Sequence, residues 1–206
     1  MSHSPAGSGA LRLRCQPNKV GQSFVFTYRI ENTGPVALFV MDAMPMVEPG
    51  SPAVTANPHS AAVLLREDGN ALLGKFIAPL PQDRILLAPD LPLCVRLEPG
   101  EGIDRELRVP LPFAESSPYF PDLTLRGYAP VEVSGVIFAI GYVAADLPGL
   151  YAAPAAYAPE LHVLSLTIAP VMAGLAWQML PVKKLEILKR LDDFPRTLKA
   201  HALEPA

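Results

Sequence analysis

The chain has 206 residues, half of them apolar and only 18% charged, below the ~25% of an average globular domain. That composition allows one large or two small domains with a substantial core, and it argues against a disordered chain. The formal net charge is −3 and there is no long basic run, which argues against electrostatic binding to nucleic acid or an anionic lipid surface.

The opening Met1–Ala10 stretch has neither a charged leader nor an apolar core, so it reads as a flexible start (1–9) rather than a secretory signal. Leu11, Leu13 and Cys15 alternate with Arg12 and Arg14, which predicts a short first strand. Residues 22–32 are the clearest strand. Phe24, Phe26, Tyr28 and Ile30 share one face, and Val25, Thr27, Arg29 and Glu31 the other. Asn32-Thr-Gly-Pro35 then forms a turn. Val36 to Val47 is apolar on both parities, as in a central strand covered on both faces.

Residues 48–60, rich in Pro, Ser and Asn, read as a surface loop. A hairpin follows, with Glu67-Asp-Gly-Asn70 as its turn and Ala61–Arg66 and Leu72–Ile77 as its arms. The proline-rich loop 78–92 leads to a strand over 93–98. Residues 103–111 form the next strand, in which Ile103, Leu107, Val109 and Leu111 share a face with one charged intruder, Arg105. A loop with Tyr119 and Phe120 comes next.

After residue 131 charge becomes scarce. Val131–Val143 and Leu161–Val171 are dense in β-branched residues and read as strands. Between them lies a small-residue loop with Tyr151 and Tyr157. Finally, Val182, Leu185, Leu188 and Leu191 recur at threes beside Glu186, Lys189 and Arg190, which predicts a short C-terminal helix over 181–195, ended by Pro195, before a tail at 196–206. Its basic pairs, Lys183-Lys184 and Lys189-Arg190, are interleaved with acids and fit a solvated face.

Proline is the compositional outlier, with 24 residues, more than twice the ~5% usual share. The prolines punctuate apolar runs, as expected of many short strands joined by ordered loops. The fold expectation is therefore mainly β: an antiparallel, immunoglobulin-like β-sandwich of eight or nine strands over 10–180 with the short C-terminal helix. A division into sub-lobes 10–113 and 123–180 is the alternative.

Parity separates the two cysteines. Cys15 points inward with Leu13, and Cys94 lies opposite Leu93 and Val95 on the side of Arg96 and Glu98. No disulfide is expected, and Cys94 should be the more reactive thiol. Free thiols without a signal sequence point to a reducing, cytoplasmic setting. The uncharged stretch Leu161–Leu180 has the length and basic flank of a membrane span. His162, Ser165, Thr167, Pro170 and Gln178 dilute it, so a strand to about Pro170 followed by a helix or apolar segment around Trp177 is the preferred reading, with a partner-binding or membrane-touching segment as the alternative.

No His-x-His, His-Glu-x-x-His or Cys-x-x-Cys spacing, nucleophile elbow or phosphate-binding glycine loop is present, so no cofactor or metal is expected. Glu98, Glu101, Asp104 and Glu106 alternate with other residues as on a solvated sheet face.

Two segments, Ile30-Glu-Asn-Thr-Gly34 followed by Val36–Val40, and Leu97-Glu-Pro-Gly-Glu101 followed by Leu107–Leu111, resemble immunoglobulin-like sandwich modules. Bacterial adhesion-type modules and the intracellular proteinase inhibitor family of bacilli show similar patterns. The resemblance covers residues 20–113 and implies architecture; no inhibitory residue carries over.

The functional expectation is a non-catalytic protein-interaction module, an adaptor, scaffold or assembly subunit, with a protein partner or a second copy bound by the apolar C-terminal third. Trp177, Leu185, Leu188, Leu191, Tyr151 and Tyr157 are its interface candidates. One alternative is a small-ligand or enzyme site built from the loops 78–92, Tyr119–Phe120 and Tyr151–Tyr157, in which Asp83 or Asp146 would meet His59 or His162. The other is a proteinase inhibitor.

Overall fold

A computed structural model of the chain describes residues 9–47, 50, 53–79, 91–120, 127–165 and 173–192. These form thirteen strands: β1 (Leu11–Val20), β2 (Ser23–Asn32), β3 (Leu38–Val47), β4 (Val54–Asn57), β5 (Ala62–Leu65), β6 (Ala71–Lys75), β7 (Leu93–Leu97), β8 (Gly102–Pro110), β9 (Phe113–Ala114), β10 (Tyr128–Ala144), β11 (Ala152–Ala155), β12 (Ala158–Leu164) and β13 (Gly174–Arg190).

The strands make two sheets. The smaller has the order β1-β2-β8, antiparallel throughout. The larger has ten strands along the path β11-β12-β7-β3-β10-β13-β9, with β4 on β3 and the β5-β6 hairpin joined to β10. It is mixed, because β6 runs parallel to β10 and β9 parallel to β13. Strands from both sides of residue 115 share this sheet.

Alternation explains how the sheets stack. Leu11, Leu13, Cys15, Phe26, Tyr28, Ile30 and Leu107 of the smaller sheet pack against Leu38, Val40, Leu73, Phe138, Ile140 and Ile187 of the larger one in a single core. An aromatic group runs through its centre. Phe26 lies 5.4 Å from Phe138, 5.8 Å from Phe24 and 6.2 Å from Phe113, measured between ring centroids. The opposite face of the larger sheet carries a second core that includes Phe39, Met41, Leu64, Leu72, Phe76, Cys94, Ile137 and Val143. The β3 run is therefore apolar on both parities because both its faces are buried.

The two turn motifs that the sequence singles out meet in space. The Asn32 side chain donates to the carbonyls of Val36 (2.8 Å) and Leu97 (3.0 Å) and accepts from the Gly34 N–H (3.0 Å). Its main chain bonds to Gly100 and Glu101. A fully buried amide thus satisfies two turns at once. The Asp68-Gly69 turn joins β5 to β6 as expected, with Gly69 at φ +78°. Gly74 has no room for a side chain: at φ +155° an added Cβ would lie 1.8 Å from the Ala139 carbonyl oxygen of the adjoining strand.

The C-terminal helix is not formed. Gly174–Arg190 is one long strand paired with β10 from Tyr142 opposite Gly174 to Tyr128 opposite Arg190. The register shifts at Ser134, which three residues of β13 (182–184) oppose. On β13 the inward residues are Ala176, Gln178 and Leu180 before the shift, and Leu185 and Ile187 after it. This change of phase puts Val182 and Leu185, three apart, on the same core, whereas Leu188 is on the other parity and Leu191 lies beyond the strand. The strand around Val133–Ile140 needs a partner on this side, and that pairing overrides the helical composition. The sheet edge is sealed locally by Gln178, whose amide accepts from the Cys15 N–H (2.8 Å) and donates to its carbonyl (3.2 Å).

Among the described residues no helix is long and apolar enough to cross a membrane. Of the Leu161–Leu180 stretch, the described parts are strands β12 and β13 flanking residues 166–172, which lie outside the described set.

Candidate functional site

The core between the sheets holds one charged cluster. Asp42 is the extra residue in β3 where Met41 faces Cys94 and Ala43 faces Leu93, and this bulge lets a carboxylate enter an otherwise apolar strand. Lys75 ends β6 on the inward parity of Ala71 and Leu73. Arg105 is the charged intruder of β8, and it reaches across the core from the smaller sheet. Its Nε lies 3.1 Å and 3.0 Å from the two Asp42 carboxylate oxygens. The Lys75 ammonium donates to the Asp42 carbonyl and lies 3.6 Å from its Oδ1. The same nitrogen sits 5.7 Å from the centre of the Tyr28 ring. The buried Tyr28 hydroxyl has no hydrogen-bond partner.

Burial decides the electrostatics. The Lys75 side chain is 0% exposed, against 35% for Arg105. Burial pulls the lysine down from its ordinary 10.5 to about 8, with Arg105 adding to the effect and Asp42 opposing it. The Tyr28 phenol is pushed up by burial and then by Asp42. Cys15 is pushed up to about 12 by burial, and Cys94 is raised by burial and then by Asp42. Both thiols are free and buried. The cysteines do face different cores, but Cys94 is not solvent-facing: the second core covers its side of the sheet, so its expected reactivity is withdrawn.

The lysine has a testable consequence. Between pH 8 and 10.5 the folded chain holds fewer protons than the unfolded chain, so the contribution of Lys75 to stability rises with pH. Relative to Lys75→Met, the wild-type chain should gain about 1.4 kcal/mol between about pH 7 and pH 9. The thiols titrate in both proteins and cancel. Denaturant unfolding across that range checks it, and parallel stability curves would refute the assignment.

A second buried pair anchors the end of β13. The Glu115 carboxylate accepts from the main-chain N–H of Arg190 (2.8 Å) and of Leu65 (3.3 Å). The Arg190 guanidinium contacts Asp192 at 2.7 Å and lies 4.8 Å from the Phe120 ring centre.

The interface candidates separate by position. Leu185 belongs to the core, Trp177 packs on the second core, and Leu188 is partly buried. Leu191 is 59% exposed. Tyr151 and Tyr157 flank β11 at the edge of the larger sheet and are 71% and 40% exposed. Val163, which the sequence reading did not single out, is 42% exposed and pairs with Ala153, two residues from Tyr151. A groove of about 520 Å³ lined by Val36, Phe39, Arg96, Glu98, Leu150 and Ala152 includes both chain neighbours of Tyr151.

Of the Asp–His combinations of the enzyme alternative, the described members are His59, His162 and Asp146. His59 is exposed in a turn, His162 packs at a tilt against Phe39 with ring centroids 5.3 Å apart, and Asp146 lines the groove. Asp83 and most of the loop 78–92 lie outside the described residues. Among the described residues, no group of three or more His, Cys, Asp or Glu is placed to hold a metal ion. Comparison with known proteins adds no relative: no family model matches the chain, and no curated protein or solved structure does.

Proposed function

We propose that this chain is a non-catalytic interaction module on an immunoglobulin-like sandwich, working in the cytoplasm, and that it binds a protein partner or a second copy through the β11-β12 hairpin. The carrying observation is the exposed set Tyr151, Tyr157 and Val163 on an edge hairpin. β11 pairs only with β12 among the described strands, and Pro154 lies within it. Its side chains can therefore contact a partner while the proline limits open-ended strand addition. Tyrosine presents large area at low entropic cost, which suits a contact surface. The groove beside Tyr151 supplies a concave neighbour for a protruding side chain. Of the original candidates Tyr151, Tyr157 and Leu191 remain available for contact, whereas Leu185 serves the core.

Replacing Tyr151 and Val163 together by Glu places two charges on this face. Sedimentation velocity and affinity of any recovered partner should then show association weakened by at least roughly tenfold, with unfolding unchanged. Association equal to that of the wild type would refute the proposal.

A further inference from the structure

We propose that the cluster of Tyr28, Asp42, Lys75 and Arg105 binds a small monovalent anion, chloride or a short carboxylate. With Lys75 protonated, two cations share one carboxylate inside the core, so the group carries one positive charge in excess. The groups left over are donors. Lys75 spends hydrogens on the Asp42 carbonyl and faces Oδ1 loosely at 3.6 Å. Arg105 directs Nε to Asp42 and Nη1 to the Asp104 carbonyl (3.2 Å). The Tyr28 hydroxyl is buried with no partner. A buried hydroxyl without a hydrogen bond is costly and uncommon in folded proteins, and here the Lys75 ammonium lies over the same ring while Asp42 and Arg105 both act on the phenol. An acceptor carrying one negative charge satisfies both the surplus charge and the idle donors.

Two features border the cluster. Arg105 is its solvent-reaching member. On the other side, a cavity of about 240 Å³ lined by Met44, Pro45, Ser60, Lys75, Ser116 and Ser117 adjoins the lysine. An anion at this place also opposes the burial that holds Lys75 down, so binding and protonation of the lysine favour one another.

The test uses the full chain at neutral pH. Sodium chloride or sodium formate is titrated at constant ionic strength against sodium gluconate, and the thermal midpoint is followed. The midpoint should rise with the anion as a bound ligand requires. Whether chloride or formate acts at the lower concentration distinguishes an inorganic ion from a carboxylate. Tyr28→Phe and Lys75→Met should each weaken the apparent affinity by roughly tenfold or more. No rise with either anion, or an equal rise in both variants, overturns the proposal. Chloride-35 line broadening on the wild-type protein gives a readout independent of variant folding. Broadening that formate does not compete away overturns it as well.

Discussion

Asp42→Ala should lose about 3–5 kcal/mol in denaturant unfolding at neutral pH. Among the described residues the carboxylate is the anionic partner of the Lys75 ammonium, and it also holds the Arg105 guanidinium. Removing it leaves a buried cation that must lose its proton or remain unpaired. Arg105 can turn outward because a third of its side chain already meets solvent, so the loss falls mainly on Lys75. The Asp42→Ala, Lys75→Met double variant should therefore recover much of the stability, and a double-mutant cycle should give a coupling of about 1–3 kcal/mol. A loss below about 1 kcal/mol, or strict additivity, would show that the cluster is not an electrostatic unit.

Phe26→Ala should cost about 3–5 kcal/mol. The ring is fully buried and touches aromatic rings from both sheets, so truncation opens a cavity at the plane where the sheets join. Loss of the stacked contacts with Phe24 and Phe138 and the tilted one with Phe113 adds to the transfer term. Val25→Ala on the other face of the same strand should cost about 1.5 kcal/mol. That valine is itself buried, which its outward parity did not foretell, so the contrast is one of size and place rather than of inside against outside. Equal midpoints for the two variants would mean that the sheets do not meet at Phe26.

How far the sequence spoke for the fold varied with the local rule. Strand β2 was legible because Phe24, Phe26, Tyr28 and Ile30 alternate along it, with Val25 the one apolar residue on the other parity. The Asp68-Gly69 hairpin was legible from its turn chemistry. The Asn32 and Leu97–Glu101 motifs were visible as turns, but that one side chain joins them is a tertiary fact. β13 was misread because the shift at Ser134 changes the inward parity of both strands, from Val131 and Val133 to Val136, Phe138 and Ile140 on β10, and likewise on β13. Cys94 was misread because strand parity gives the face but not what covers it.

For the candidate site the signal was present and went unused. Arg105 was seen as a charge on an apolar face. Asp42 is the lone charge in the run from Val36 to Val47, and Lys75 the lone charge from Leu72 to Ile77. Asp42 and Lys75 each marked a buried charge, Arg105 a charge on the apolar face of a charged strand, and charges so placed imply mutual pairing. Which of them meet depends on the stacking of the sheets, which no linear pattern encodes. Tyr151 and Tyr157 were found from composition alone, since aromatic residues stand out in a small-residue loop.

The claim that the β11-β12 hairpin is the contact face is tested most directly by photo-crosslinking in the native cell. Tyr151→p-benzoylphenylalanine is compared with the same substitution at Glu106, on the exposed side of β8. A discrete protein adduct at position 151, whether a second copy or another chain, and none at position 106 is the expected result. No adduct at position 151, or the same adduct at both positions, would contradict it.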